Sequence, residues 1–156
     1  MINFDIPGFG QRSLLHLVLD YNGTLAIDGR VQPGVFSRLS RIKQLLTIHI
    51  LTADTYGTVR STFGQTDYVV HILPPGDERQ AKADYVRSLD PMSCACLGNG
   101  NNDASMLKDA ALSMAILQPE GVAMAALSAA HILVPGIEAG LDLLLYPQRL
   151  KATLRS

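Results

Sequence analysis

Tryptophan is absent from this chain, and aromatic residues make up only 6% of it. Nothing in it therefore offers the stacking platform of a single-strand nucleic-acid binder. Cations are no more helpful to that reading: 13 Lys and Arg face 14 Asp and Glu, for a net charge of −1, and no basic stripe stands out. Nucleic acid is not an expected partner. Cysteine is scarce too. Cys94 and Cys96 lie two apart in "SCACLG", so on a strand they point the same way and do not bridge. They are expected as small buried fillers, because no neighbouring Cys or His completes a metal site. No apolar run reaches the ~18 residues that span a bilayer. The opening "MINFDIPGFG" carries an acid and has no basic region ahead of an apolar core. The expectation is a cytoplasmic protein with no membrane span.

What is present is apolar. Hydrophobic residues make up 47% of the 156, charged residues 17%, and mean hydropathy is +0.17. That suits a sheet buried on both faces. Strand candidates are 14–19, 48–52, 68–73, 93–98, 112–116 and 131–134. Helical patterns alternate with them over 34–46, 55–63, 76–89, 102–110, 119–130 and 137–154, the last broken at Pro147. "PGFG" signals a hairpin turn within the first dozen residues. The alternation predicts one α/β domain over 1–156, a three-layer Rossmann-like fold with a mainly parallel sheet and helices on both faces.

Open parallel sheets bind ligands at the carboxyl ends of their strands. Polar residues gather there. Asp20 ends "HLVLD", Thr52 ends "IHILT", and Asn99 and Asp103 follow the fourth strand in "LGNGNNDASML"; Lys82 lies in the helix before that strand. Singly, each has an ordinary explanation: Thr52 as a cap, Lys82 as a solvated lysine, Asp103 as an acid at a helix start. The conjunction in this order is specific. His16, His49, His71 and His131 all fall in strand candidates and are expected to pack rather than to ligate. Asp54 is expected to cap a helix.

D-x-x-G-T after a strand, then a strand-terminal Thr, then a Lys, then G-N-G-x-N-D resembles the haloacid dehalogenase superfamily. More closely, "GNGNNDASML" followed by "AALSMAI", an Ala-rich helix and "AAHILV" resembles the phosphorylation domain of P-type ATPases, and the soluble proteins built from that domain alone. The resemblance covers about residues 14–145. It implies a capless fold in which Asp20 is a nucleophile that becomes an aspartyl phosphate. It implies that Asn22 offers its backbone carbonyl to Mg²⁺, that Thr52 donates its hydroxyl to the phosphoryl group, and that Lys82 neutralises charge. Asn99 and Asp103 would hold the metal with Asp20. The backbone amides of Tyr21, Asn22 and Ala53 would add phosphate donors, and Tyr21 would shape the entrance.

Two positions depart from the superfamily's pattern. Most of its phosphatases carry an aspartate where Asn22 stands, and that acid supplies general acid–base help of ~10²–10⁴-fold. P-type ATPases lack an acid there as well. The superfamily's metal-ligating aspartate is replaced by Asn99, which keeps an oxygen but loses the charge. Residues 25–51 and 53–81 leave no room for a cap or a nucleotide-binding domain. The expected function is a slow Mg²⁺-dependent phosphohydrolase or phosphotransferase acting on a phosphorylated small molecule or phosphoprotein. The alternative is a regulatory or partner-binding module with weak turnover or none. "LDLLLYPQRL" is a candidate homo-oligomer surface, or packs on its own sheet.

Overall fold

The computed structural model describes residues 1–54 and 57–156. The chain opens with a hairpin, β1 (Ile2–Ile6) and β2 (Gly10–Leu14), antiparallel and forming its own small sheet. Next come β3 (His16–Asp20) and a second small hairpin, β4 (Ala26–Ile27) with β5 (Arg30–Val31). Then follow α1 (Val35–Ile42), β6 (Thr47–Thr52), α2 (Val59–Phe63), β7 (Val69–Ile72), α3 (Glu78–Ser88) and β8 (Cys94–Gly98). A 3-10 turn (Asn101–Asp103) leads into α4 (Ala104–Asp109). The chain closes with β9 (Leu112–Leu117), α5 (Met124–Ala129), β10 (Ile132–Pro135), α6 (Ile137–Leu145) and α7 (Pro147–Leu154).

The main sheet has six strands in the order β10-β9-β8-β3-β6-β7, and every pairing is parallel. Its faces are filled by alternation. Leu17, Leu19, Ile48, Ile50, Ala95 and Leu97 enter one apolar cluster, roofed by α1 and α6. Val18, Leu51, Cys94 and Cys96 enter the other, under α3 and α4. The two cysteines are thus buried fillers without a disulfide, as their spacing predicts.

All six expected strands are present, as is the hairpin at the start. Some boundaries differ. The expected helix over 119–130 begins only at Met124. Gly121 has φ +84 and its N–H closes a turn on the Gln118 carbonyl at 2.7 Å, so Pro119 and Glu120 belong to that turn rather than to a helical first turn. The helix expected over 55–63 is helical from Val59; residues 55 and 56 lie outside the described residues. The tail breaks at Pro147 as expected, and Leu141, Leu144 and Leu150 pack into the chain's own core. The β4–β5 hairpin is not expected from sequence, because strands of two residues leave no periodicity to read.

Candidate functional site

Asp20 is the last residue of β3, a central strand paired on both sides. The neighbouring strand β6 ends beside it: Asp20 pairs with Leu51, and Thr52 follows. On the other flank β8 ends at Gly98, so Asn99 emerges at the same edge. Parallel strands in register therefore deliver three of the sequence-predicted positions to one rim.

The fourth arrives from a helix. Asp77 caps α3 by accepting from Gln80 N–H at 3.1 Å. Lys82 lies along that helix and is only 1% exposed. Its ammonium donates to Asp20 Oδ1 at 2.6 Å and to Asp103 Oδ1 at 2.7 Å. The solvated-lysine explanation is thereby removed. Asp103 is fully buried, and its second oxygen accepts from the N–H groups of Asn99 (2.9 Å) and Gly100 (2.8 Å). One carboxylate thus braces the glycine turn and holds the lysine at once.

The charges in this cluster do not balance. Two carboxylates share one ammonium, with Asp103 and Lys82 buried and only Asp20 slightly exposed. Burial, and then the Asp103 charge, push the Asp20 carboxyl upward, while Lys82 and the Thr24 hydroxyl pull it back. Burial alone would lower Lys82, but Asp20 and Asp103 outweigh it and hold the ammonium above the ordinary lysine range.

Asn99 is engaged at every polar atom of its side chain. Its Oδ1 accepts from the Thr24 hydroxyl at 3.3 Å, and its Nδ2 donates to the Gly121 carbonyl at 3.1 Å. Its backbone carbonyl accepts from Ala123 N–H at 2.7 Å. Asn22 differs: its Oδ1 is buried and has no partner among the described residues. Thr52 Oγ1 accepts from Asp54 N–H at 2.9 Å, which leaves its own hydroxyl proton free to donate. Asp54 in turn accepts from the N–H of Val59, the first residue of α2, at 3.2 Å, while the N-cap position itself is Thr58.

Tyr21 corrects an expectation. Its ring is fully buried, edge-on to Phe63 with centroids 6.0 Å apart, and its hydroxyl donates to Gly29 O at 3.4 Å. It anchors the β4–β5 hairpin from below and does not line an entrance. The histidines keep away from the site as expected. His16 and His49 face each other at 3.0 Å, His49 meets the Tyr85 hydroxyl at 2.9 Å, and His131 meets Ser113.

Gln118 stands at the same rim and is not among the residues expected from sequence. It follows β9 at the same carboxyl rim, and its Nε2 donates to both Gly23 O (3.0 Å) and Thr24 O (2.7 Å). A signal for it exists: a polar residue ends a buried strand on the edge that carries Asp20, Thr52 and Asn99. A helix expected from the first residue of "PEGVAMAALSAA" obscures it.

No family model matches the chain. Two proteins of Methanocaldococcus jannaschii are similar in sequence. Uncharacterized protein MJ0073 is 37% identical over 84 residues, 51% of this chain and 90% of that protein. Uncharacterized protein MJ0072 is 49% identical over 39 residues, 25% of this chain and 89% of that protein. The chain belongs to their family. Its architecture is that of the haloacid dehalogenase (HAD) superfamily. A phosphoserine phosphatase in its apo form superposes with a TM-score of 0.65 at 12% identity, over 86% of this chain and 99% of the other. A 3-deoxy-D-manno-octulosonate 8-phosphate phosphatase from Moraxella catarrhalis, in complex with magnesium, phosphate and KDO, gives 0.63 at 15% identity, over 89% and 90%. A zinc-transporting PIB-type ATPase gives 0.58 at 24% identity, over 79% of this chain and 20% of that one. At these identities the likeness is one of fold. Within that fold, Asp20 stands at the end of the central strand β3, with Lys82 and Asp103 bonded beside it.

Proposed function

We propose that the chain is a phosphohydrolase or phosphotransferase whose nucleophile is Asp20. The observation that carries this reading is the buried Asp20–Lys82–Asp103 cluster at the carboxyl rim of the sheet. A carboxylate there attacks phosphorus without a base to activate it. A bond forms between an Asp20 oxygen and phosphorus as the bond to the leaving oxygen breaks. Water then attacks the aspartyl phosphate, releasing phosphate and restoring the carboxylate. Lys82 compensates the charge that the phosphoryl group brings, and the Thr52 hydroxyl has a proton to give it, assisted by the backbone amides of Asn22 and Ala53. Such positioning and neutralisation is most of what phosphoryl transfer requires.

The residues fit a divalent cation. The donors at the rim are all oxygens, which suits Mg²⁺, and the cluster carries more carboxylate than ammonium. Asp20, the Asn22 carbonyl and Asn99 would hold the ion, with Asp103 behind them, since both its oxygens already accept hydrogen bonds. Bound there, it would add positive charge against the phosphoryl oxygens. Asn99 would have to release Thr24 to take part, so the site is expected to be weak and turnover slow. Asn22 cannot pass a proton to the leaving group or take one from water, which slows both halves of the reaction.

The substrate class proposed is a phosphorylated small molecule or a phosphoprotein. The engagement of Asn99 favours a second reading, a phosphate-binding module with negligible turnover. Thermal melting with Mg²⁺ and beryllium fluoride, run beside hydrolysis of an aryl phosphate, tests both. A rise in melting temperature that Asp20→Asn abolishes, with measurable hydrolysis, supports the enzyme. The same rise without hydrolysis supports the module. No rise in the wild type overturns both.

A further inference from the structure

Three short segments meet around Gln118. The turn after Asp20 folds back on itself, with the N–H groups of Thr24, Leu25 and Ala26 all directed at Tyr21 O and Gly23 N–H bonded to Ala26 O at 2.7 Å. This leaves the carbonyls of Gly23 and Thr24 pointing outward. Both are taken by the Gln118 amide, at 3.0 and 2.7 Å. The other end of the same amide accepts from Ile137 N–H, the first residue of α6, at 3.3 Å.

These partners fix the amide's orientation. Two carbonyls lie on one side and an N–H on the other, so only one placement of oxygen and nitrogen satisfies all three. The oxygen sits at a helix N-terminus, where the partial positive charge polarises the amide and strengthens its donors. The segment that follows is stitched to the same region. Glu120 accepts from Asp28 N–H at the tip of the β4–β5 hairpin at 2.8 Å, Gly121 O accepts from Asn99, and Ala123 N–H donates to Asn99 O.

The peptide that Gln118 grips begins one residue beyond Asn22. We propose that Gln118 is a positioning residue: by clamping the Gly23 and Thr24 carbonyls to the start of α6, it fixes the direction in which the Asn22 carbonyl faces the phosphoryl and cation site. The claim rests on the function proposed above, but its structural half can be tested without it. Gln118 itself contacts no reacting atom. It acts as outer partners of metal ligands do, where a substitution weakens metal affinity by about 10- to 100-fold.

The test compares wild type with Gln118→Glu, which keeps size and acceptor but loses both donors, and Gln118→Met, which keeps shape alone. In metal-free protein, amide exchange by NMR at Gly23–Ala26 is expected to quicken in both variants while the β3 and β8 amides keep their protection. With beryllium fluoride fixed, the Mg²⁺ concentration at half-maximal stabilisation is expected to rise about 10- to 100-fold. Unchanged exchange at 23–26, or an unchanged Mg²⁺ midpoint in variants that fold, overturns the proposal. General loss of protection in both variants also overturns it and assigns Gln118 a purely structural role. If the wild type ignores Mg²⁺ and beryllium fluoride, the functional reading fails, and with it the role assigned here; the exchange data then report the clamp alone.

Discussion

Asn99 fills the space that a side chain at Gly23 would need. A Cβ built on Gly23 would stand 2.5 Å from Asn99 Nδ2 and 2.7 Å from its Oδ1. Gly23 also has φ +78, a conformation that other residues adopt at a cost of ~1–2 kcal/mol. Gly23→Ala is therefore expected to lower unfolding free energy by at least about 1 kcal/mol and to push Asn99 off Thr24. Urea unfolding measures the first effect. Full wild-type stability would mean that the turn and Asn99 move apart freely.

Lys82 is the shared counter-ion of two buried carboxylates. Removing one partner of such an arrangement typically costs about 3–5 kcal/mol. Lys82→Met should show a loss of that order at pH 8. The loss should shrink as pH falls below about 7, where Asp20, pushed up by burial and then by the Asp103 charge, takes up a proton. A pH-independent loss would point instead to missing packing around the lysine stem.

Asn99→Asp sets two effects against each other. A carboxylate cannot donate to Gly121 O, so the metal-free variant should melt below wild type. The same carboxylate adds charge to the cation site, so Mg²⁺ should raise the variant's melting temperature by more than it raises the wild type's. A crossing of the two melting curves with Mg²⁺ concentration is the expected outcome. An equal response to Mg²⁺ in both proteins would count against Asn99 as a ligand position.

His49 predicts an acid-sensitive face remote from the site. Burial, and then the neighbouring His16, lower its pKa to about 4. In the unfolded chain it titrates near its ordinary value of 6.5. Between these values the unfolded state binds more protons, so stability rises with pH; its contribution is complete above about 6.5 and is lost as pH falls toward 4. His49→Gln should flatten the stability profile between pH 5 and 7, followed by chemical unfolding at each pH. A slope equal to wild type's would exclude His49 as its source.

The strand pattern was legible because central parallel strands write their burial directly into sequence as apolar runs. Asp20, Thr52 and Asn99 were legible because each interrupts such a run at the same end. Lys82 and Asp103 were legible only as part of that conjunction, since neither ends a strand and the helix pattern does not reveal which face of α3 meets the strand ends. The role of Asn99 was only half visible. Sequence registers the lost charge, but its donation to Gly121 O depends on a carbonyl whose position comes from the turn at 118–121. Gln118 left a positional signal after β9, but its contacts did not show: its partners are backbone groups from Gly23, Thr24 and Ile137, and backbone groups have no identity in a sequence.

The strand order has one more consequence. β3 lies between β8 and β6, so Asp20 rides on a strand held by a hydrogen-bond ladder on each side. Lys82 rides on α3, which rests on the sheet only through side chains. Local opening of α3 can therefore carry the ammonium away without breaking a rung of the β3 ladders. The cluster is held asymmetrically: Asp20 by backbone rungs on its strand, the Lys82 ammonium by its two carboxylate partners and the packing of α3.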